Sequence, residues 1–578
     1  MPRLTGGEMI AKYLEKEGVE YLVGIPGHGS TNILDPFNDS TVEVIQPRHE
    51  QGAAHLADGY ARASGDPMAV FTSIGPGATN TVTGVATAYV DSIPMVVFTG
   101  APQTHEYGQG ILQEIERQNP GDFPRVMEPI TKQSFVARDV EQLPRILRRA
   151  FQIVRSGRPG PVHVDVPMDV QAAAADVELP EPTEHRAHSR PGGDPETVGE
   201  AADLLATADR PVIVPGGGTM LAEAWDEVRE LAEYLQVPVI PTFQGKGIIP
   251  EDHELFVGNA GWIGSTAGNE LATSADVVLA IGCRFSDLHT SSFEQGVSFE
   301  IPPSQLIHVD IDGEEIGKNY PVTVGIEGDA KVVTGQIHDA VADKIDPIGT
   351  EDNEYYEEIQ TLWAEWQEKI QDRHTDEVPM SISRVLAGLR DVLPREGMVV
   401  SSAGQPQETT NPEFPVYEPR TNISCSGFST MGFGVPAAIG AKLARPDRPV
   451  VAVEGDGSFL MTNHEVACAV EHEVDVNYLI LNNHGWKSIR NLQVDKYGDD
   501  RVLNTEFDPD TDVDYMSIAD AFNVDFAERV IEPGNLAEVL EQALATDGPA
   551  IVEAMVEPDN TDSGAIITGE WDLADPET

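Results

Sequence analysis

The stretch that most constrains this chain is a β-α-β unit near its carboxyl end. Pro449-Val450-Val451-Ala452-Val453-Glu454 is apolar and β-branched, as a buried strand is. It breaks at Gly455-Asp456-Gly457. A helical pattern follows through about Glu471, carrying Phe459, Val466, Cys468 and Ala469. A second apolar run, Tyr478-Leu479-Ile480-Leu481, ends in Asn482-Asn483. In open parallel sheets, ligands sit beyond the carboxyl ends of the strands. The glycines let backbone approach a phosphate, and the helix amino end favours its charge. Asp456 and Asn483 form an oxygen pair of the kind that holds Mg²⁺ together with phosphates and water.

Gly-Asp-Gly, about 24 residues and then Asn-Asn resembles the diphosphate-binding motif of thiamine diphosphate enzymes. The resemblance implies that Asp456, the Asn483 side chain and the Gly485 carbonyl hold Mg²⁺, and that Gly455, Gly457 and Ser458 meet the cofactor. It covers nearly the whole chain. It implies an α/β protein of three doubly wound parallel-sheet domains: pyrimidine-binding (1–175), middle and Rossmann-like (197–345), and diphosphate-binding (379–558). A charged linker helix would fill 346–378, and 559–578 would be an acidic tail. Gln171 to Glu196, rich in Ala, Glu, Pro and His, reads as an exposed linker.

In the first domain, strands end at Pro26-Gly27-His28-Gly29, before Arg48-His49-Glu50-Gln51, and at Gly75-Pro76-Gly77-Ala78-Thr79-Asn80. RHEQGAAHLADGYARASG resembles the family's catalytic-Glu segment, and SIGPGATNTVTGVATAYVDSIPMVV its companion. Glu50 is thereby the expected catalytic carboxylate. Bonded to the pyrimidine ring of the cofactor, it shifts that ring's tautomer so that the ring's own amino group becomes a base. Pro26, Gly27 and Asn80 are expected at the cofactor. His28 can activate water or hold a carbonyl oxygen near neutral pH. His49 and His105 are secondary candidates by position. GILQE and ITKQSF resemble acetolactate synthase segments, which makes Gln113 and Lys132 candidate catalytic residues.

In the middle domain, CRFSD and HVDID resemble flavin-binding segments of acetolactate synthases, the first of them altered. Arg158 and Arg284 would meet the diphosphate of FAD, and Asp310 and Asp312 its ribose or flavin. Related enzymes hold another nucleotide there, or none. In the third domain, Gly404 and Gln405 follow a strand. GFSTMGFGVPAAIG matches the family's small-residue loop, with Met431 as the apolar wedge that bends the cofactor.

Whole-chain features narrow the function classes. A chain of 578 residues suggests three or four domains. It carries 96 acidic residues against 37 basic, a formal charge of −59, spread along its length. That excludes a basic nucleic-acid surface and reads as a halophilic, self-repelling surface. Cys283, Cys425 and Cys468 stand far apart, so a disulfide framework or zinc site is not expected. His464-Glu465 opens a His-Glu-x-x-His zinc motif, but Cys468 occupies the second histidine's place. No signal peptide or membrane span is expected, which implies a cytoplasmic protein.

The best whole-chain resemblance is to the acetolactate synthase catalytic subunit. It would join two pyruvates into 2-acetolactate and CO₂ for branched-chain amino acid synthesis, as a homodimer or homotetramer with a small regulatory subunit. Three segments depart from that pattern. Gly27-His28-Gly29 replaces a Pro-Gly-Gly loop, and Leu112 replaces a phenylalanine. Leu492 in NHGWKSIRNLQ stands where a tryptophan of the acceptor-selecting run belongs. The Gly-His-Gly loop resembles thiamine diphosphate hydrolases that open cyclic 1,2-diketones, the alternative reading. A non-catalytic binding protein of this fold is a third, opposed by the presence of Glu50, Asp456 and Asn483.

Overall fold

The computed structural model describes residues 1–115, 122–511 and 513–557. The acidic tail expected at 559–578 lies outside the described residues. A short antiparallel pair joins β1 (Arg3–Thr5) to β8 (Ala174–Asp176). Between them lies a six-stranded parallel sheet: β2 (Tyr21–Gly24), β3 (Glu43–Ile45), β4 (Met68–Thr72), β5 (Met95–Ala101), β6 (Gln133–Val136) and β7 (Val162–Pro167), in the order 3-2-4-5-7-6. The middle sheet has four parallel strands, β9 (Pro211–Pro215), β10 (Val277–Ile281), β11 (Gln305–Asp310) and β12 (Val324–Glu327), in the order 12-11-10-9. The third repeats the six-stranded plan with β13 (Met398–Ser401), β14 (Asn422–Ser424), β15 (Val450–Gly455), β16 (Val476–Asn482), β17 (Phe526–Val530) and β18 (Ala550–Met555), ordered 14-13-15-16-18-17.

Local chemistry explains these boundaries. Thr5 caps the Gly6–Glu17 helix through a capping box with Glu8, and Gly18 ends it in the left-handed region at φ 73°. All five residues of β4 are buried, as a central parallel strand covered on both faces requires. The helix Glu50–Ser64 stops at Gly65, φ 86°. The linker helix is Glu354–Gln371, whose Ile359 and Trp366 are fully buried in the middle domain.

Two expectations are corrected. The segment 171–196 is not simply exposed: Gln171, Val177, Leu179 and Pro182 are buried. The β1–β8 pairing draws Val177 and Leu179 into the first domain's core. The helix expected through Glu471 is two helices, Asp456–Thr462 and Val466–Glu471, separated by a 3₁₀ turn at Asn463–Glu465. Among the described residues no helix is long and apolar enough to cross a membrane.

The first and third domains share one hydrophobic core. Its seam is the helix Glu50–Ser64 lying on the helix Gly434–Ala444. A Cβ on Gly59 would lie 2.1 Å from the Ala437 carbonyl oxygen, and one on Gly440 would lie 1.9 Å from that of Leu56. Small residues let the two backbones touch. Arg62, buried in the last turn of the first of these helices, binds all three domains together. It pairs with Asp58 and with Asp91 (2.9 Å), and donates to the middle domain's Gln244 (2.9 Å) and the Ser424 carbonyl (2.8 Å). Burial pushes the Asp58 carboxyl up against the pull of Arg62.

Gly440→Ala is expected to overpack this seam and to cost about 1–3 kcal/mol. A urea midpoint clearly below wild type at equal salt checks it. An unchanged midpoint would mean that the helices have room to part.

Candidate active site

The carboxyl ends of β2, β3 and β4 meet at one sheet edge, and their loops build the first cluster. Glu50 is the first residue of its helix, and the His49 imidazole caps the helix by accepting the Gln51 N–H (3.1 Å). The half-buried Glu50 carboxylate accepts a hydrogen bond from the Asn80 amide at 2.9 Å. A Cβ on Gly77 would approach the other carboxylate oxygen to 2.9 Å, so glycine there lets the loop close over the acid. Gly75, at φ 55°, packs against the backbone of Gln113. Gly27 and Gly29 pack on Ser73 and Ile74, and leave His28 exposed between them. Glu50, Asn80, His28 and Gln113 are thus brought together around Ser73–Gly77. Pro26 is exposed in the same loop, and His105 is exposed after β5.

Lys132, a catalytic candidate by sequence, is engaged by backbone in this structure. Its ammonium donates to the carbonyls of Ile153 (2.7 Å), Ser156 (2.6 Å) and Arg158 (2.6 Å). It caps the end of the helix Leu143–Arg155, where the last carbonyls lack intrahelical partners. Burial brings its pKa down to about 8.

The second cluster hangs from β13 and β15–β16. Asp456 is buried. Its two oxygens accept the N–H groups of Gly457 (2.8 Å) and Gly485 (2.9 Å), which folds the turn after β15 onto the turn after β16. The Asn483 side-chain amide donates to Gln405 Oε1 at 2.6 Å. Ser458 accepts the Gly432 N–H (2.9 Å), which ties the Met431 loop to the same turn. Met431 itself is 39% exposed.

Several observations fit a diphosphate with its metal. The Gln405 amide nitrogen is buried without a partner, a donor waiting for an acceptor. Cβ atoms at Gly404 and Gly455 would meet no protein atom nearer than 3.5 Å and 3.7 Å, so the protein's own packing does not fill that space. Gly404 also needs glycine for its φ of 98°. Asp456, the Asn483 side chain and the Gly485 carbonyl could hold a Mg²⁺ ion, which asks for few protein oxygens when phosphates supply the rest.

Sequence reasoning missed two acids here. Glu454 accepts from Ser402 (2.6 Å) beneath the Gly455–Gly457 turn, and Glu408 stands one turn beyond Gln405. Burial pushes each carboxyl up to about 7. An acid at the end of an apolar strand, or within a run of polar residues, carries no periodic signal of burial.

A separate cavity of about 530 Å³ lies beyond β9–β11, lined by residues of all three domains. Seven arginines and four acidic residues line it, in a chain with 96 acidic and 37 basic residues. Arg158 and Arg284 both lie here but are already engaged. Arg158 pairs with Glu315 (2.7 Å) and Asp312 (3.3 Å), and Arg284 meets the Val90 carbonyl (2.5 Å) and Asp91 (3.3 Å). A ligand would share them. Asp310 is pushed up to about 6 by burial.

Family comparisons agree with this division. Residues 4–120 match the thiamine pyrophosphate enzyme N-terminal TPP binding domain, residues 198–337 the central domain, and residues 402–554 the C-terminal TPP binding domain. A probable acetolactate synthase large subunit of Methanocaldococcus jannaschii is 37% identical, across 96% of this chain and 92% of its own length. The acetolactate synthase isozyme 1 large subunit of Escherichia coli is 33% identical, across 96% and 94%. An acetolactate synthase of Mycobacterium bovis is 34% identical, across 97% and 89%. With all three of its parallel-sheet domains matched, the chain belongs to the thiamine diphosphate-dependent enzyme family.

Proposed function

We propose that the chain is the catalytic subunit of an acetolactate synthase, converting two pyruvates to 2-acetolactate and CO₂ with thiamine diphosphate, Mg²⁺ and FAD. The observation that carries this reading is relatedness to acetolactate synthase large subunits across 96% of the chain. Bound thiamine diphosphate supplies the electron sink for breaking a carbon–carbon bond beside a carbonyl. Glu50 would hold and return a proton at a ring nitrogen of the aminopyrimidine, with Asn80 fixing its carboxylate. Asp456, Asn483 and Gly485 would hold Mg²⁺ on the diphosphate, and the unpartnered Gln405 amide would donate to it. Met431 would support the bent cofactor. Gln113 and His28 would face the substrate.

The two clusters hang from different sheets. We take the working site to join the Glu50 cluster of one chain to the Asp456 cluster of a second, in a homodimer or homotetramer. The relatives' designation as large subunits supports a small regulatory partner. For FAD, the support is the arginine-lined cavity: a chain this acidic concentrates arginine where a polyanion is to sit. Its volume lies within the ordinary range for small-molecule sites.

A specific observation favours a second reading, hydrolysis of a cyclic 1,2-diketone. His28 is exposed in the loop after β2, between two glycines that pack on Ser73 and Ile74 of the loop leading to Gly77 and Glu50. An imidazole so placed could direct water at a carbonyl.

The purified protein, in high salt with thiamine diphosphate, Mg²⁺ and FAD, is expected to form acetolactate from pyruvate. Glu50→Gln should lose about 100-fold or more of that activity. Absence of acetolactate, with cyclohexane-1,2-dione opened by the wild type and not by His28→Asn, would establish the hydrolase instead. Separately, adding the protein should quench FAD fluorescence, and Arg158→Ala should weaken binding about tenfold or more. Flavin fluorescence indifferent to the protein would remove FAD from the proposal.

A further inference from the structure

The sequence Gln46-Pro47-Arg48-His49, which leads into Glu50, is bound at several points by one short stretch of the third domain. The Gln46 N–H donates to the His472 imidazole at 3.1 Å. The Arg48 N–H donates to Glu465 Oε2 and the His49 N–H to Glu465 Oε1, each at 2.9 Å. The Arg48 guanidinium reaches the Ala467 carbonyl (3.4 Å) and pairs with Glu471. Glu465 itself is fully buried. Gly52 makes the approach possible, since a Cβ there would lie 2.1 Å from Glu465 Oε1.

We infer that Glu465 is a positioning residue for Glu50: its carboxylate clamps the two backbone N–H groups immediately before the catalytic acid and fixes where the Glu50 side chain starts. This rests on the catalytic reading of Glu50. A carboxylate suits the task because it offers an acceptor oxygen to each N–H. An amide offers one oxygen and would turn a donor toward the other N–H. A buried backbone N–H left without an acceptor does not stay in place at no cost. The outer contacts, Arg48 with Glu471 and Gln46 with His472, suffice to dock the strand end. Of the third domain's hydrogen bonds to this segment, only those of Glu465 reach the residue next to Glu50.

The clamp also crosses a domain boundary. Glu465 lies nine residues after Asp456 in the chain. The segment that carries the diphosphate cradle therefore also sets the geometry of an acid on the other sheet. The inference gives His464-Glu465, which has no zinc partner, a use of its own. His464 stands 3.5 Å from the same Glu465 oxygen, and its ring meets that of His49 edge-on at 6.0 Å.

The test is the rate at which the C2 proton of bound thiamine diphosphate exchanges with deuterium, read by NMR after acid quench of the holoenzyme. Glu465→Gln, and Gly52→Ala, which displaces the carboxylate without removing it, are expected to slow exchange by about tenfold to 100-fold toward the Glu50→Gln rate. Half-saturation by the cofactor, followed by tryptophan fluorescence, should move by less than about threefold. Glu471→Gln, at the rim of the clamp, should exchange like wild type. Wild-type exchange in both Glu465→Gln and Gly52→Ala overturns the inference. Slowing that merely follows weakened cofactor binding, or loss of the fold in both variants, overturns it too, because the contact is then structural. Wild-type exchange in Glu50→Gln would remove the catalytic reading and the inference with it. Slow exchange there, with wild-type exchange in Glu465→Gln, removes the inference alone.

Discussion

The contact between the helix Glu50–Ser64 and the helix Gly434–Ala444 is the constraint on which the rest of the molecule depends. One helix begins with the candidate catalytic acid. The other follows the Met431 loop, which is bonded to the Asp456 turn through Ser458. Glycines at 59 and 440 bring the two backbones to within a side chain's thickness, so the first and third sheets share a single core. Interiors packed at this density shift between discrete arrangements and do not deform smoothly. The geometry of both clusters is therefore set by the same buried seam. Arg62 at the far end of the first helix extends the seam to the middle domain through Gln244.

Charge is distributed to match. The excess of acid leaves few cations to place, and many sit where they do internal work. Arg62 neutralises buried Asp58 and Asp91. Lys132 caps a helix end. Lys246, fully buried, pairs with Glu251 beside the third domain. The cavity beyond β9–β11 gathers seven arginines. An acidic surface overall and an arginine-lined cavity are two parts of one arrangement. A polyanion gains most where cationic donors are already held in place by carboxylates and shielded from water.

Much of this was legible in sequence, for identifiable reasons. The strands β4, β9, β13, β15 and β16 are apolar runs bounded by glycine, proline or asparagine, and such runs specify buried parallel strands without tertiary information. Glu50 and Asp456 could be singled out because the segments around them resemble those of the family, and the structure sets the first against Asn80 and the second against Gly457 and Gly485. What could not be read depends on backbone partners. Nothing in Ile-Thr-Lys-Gln says that the Lys132 ammonium will meet three carbonyls. Nothing in Arg-Phe-Ser-Asp says that Arg284 will be taken by Asp91, 193 residues away. Glu465 was hidden for the same reason. Its partners are backbone N–H groups more than 400 residues earlier, and backbone amides carry no residue identity. The segment 171–196 was misread because its few apolar residues, Val177 and Leu179, are too sparse for periodicity yet enough to follow a pairing strand inward.

The contrast between seam and loops bears on which reaction the family scaffold performs here. Wherever the two sheets meet, glycine and alanine fill the contact and Arg62 and Glu465 pin it. Variation there would disturb every reaction of the family alike. The positions at which this chain departs from the synthase pattern lie elsewhere. His28 is exposed, Leu112 is 77% exposed, and Leu492, in the helix Lys487–Tyr497, is half-buried. None of these side chains is bound into the core, so each could change without cost to the shared fold. Substrate choice and scaffold integrity are thereby held by different residues. On the proposed reading, the rigid part would position the acid and the cofactor, and the loops at the sheet edges would decide which carbonyl, or which water, meets them. The proposed choice between synthase and hydrolase is in physical terms a question about those loops, and chiefly about the one exposed imidazole between two close-packed glycines.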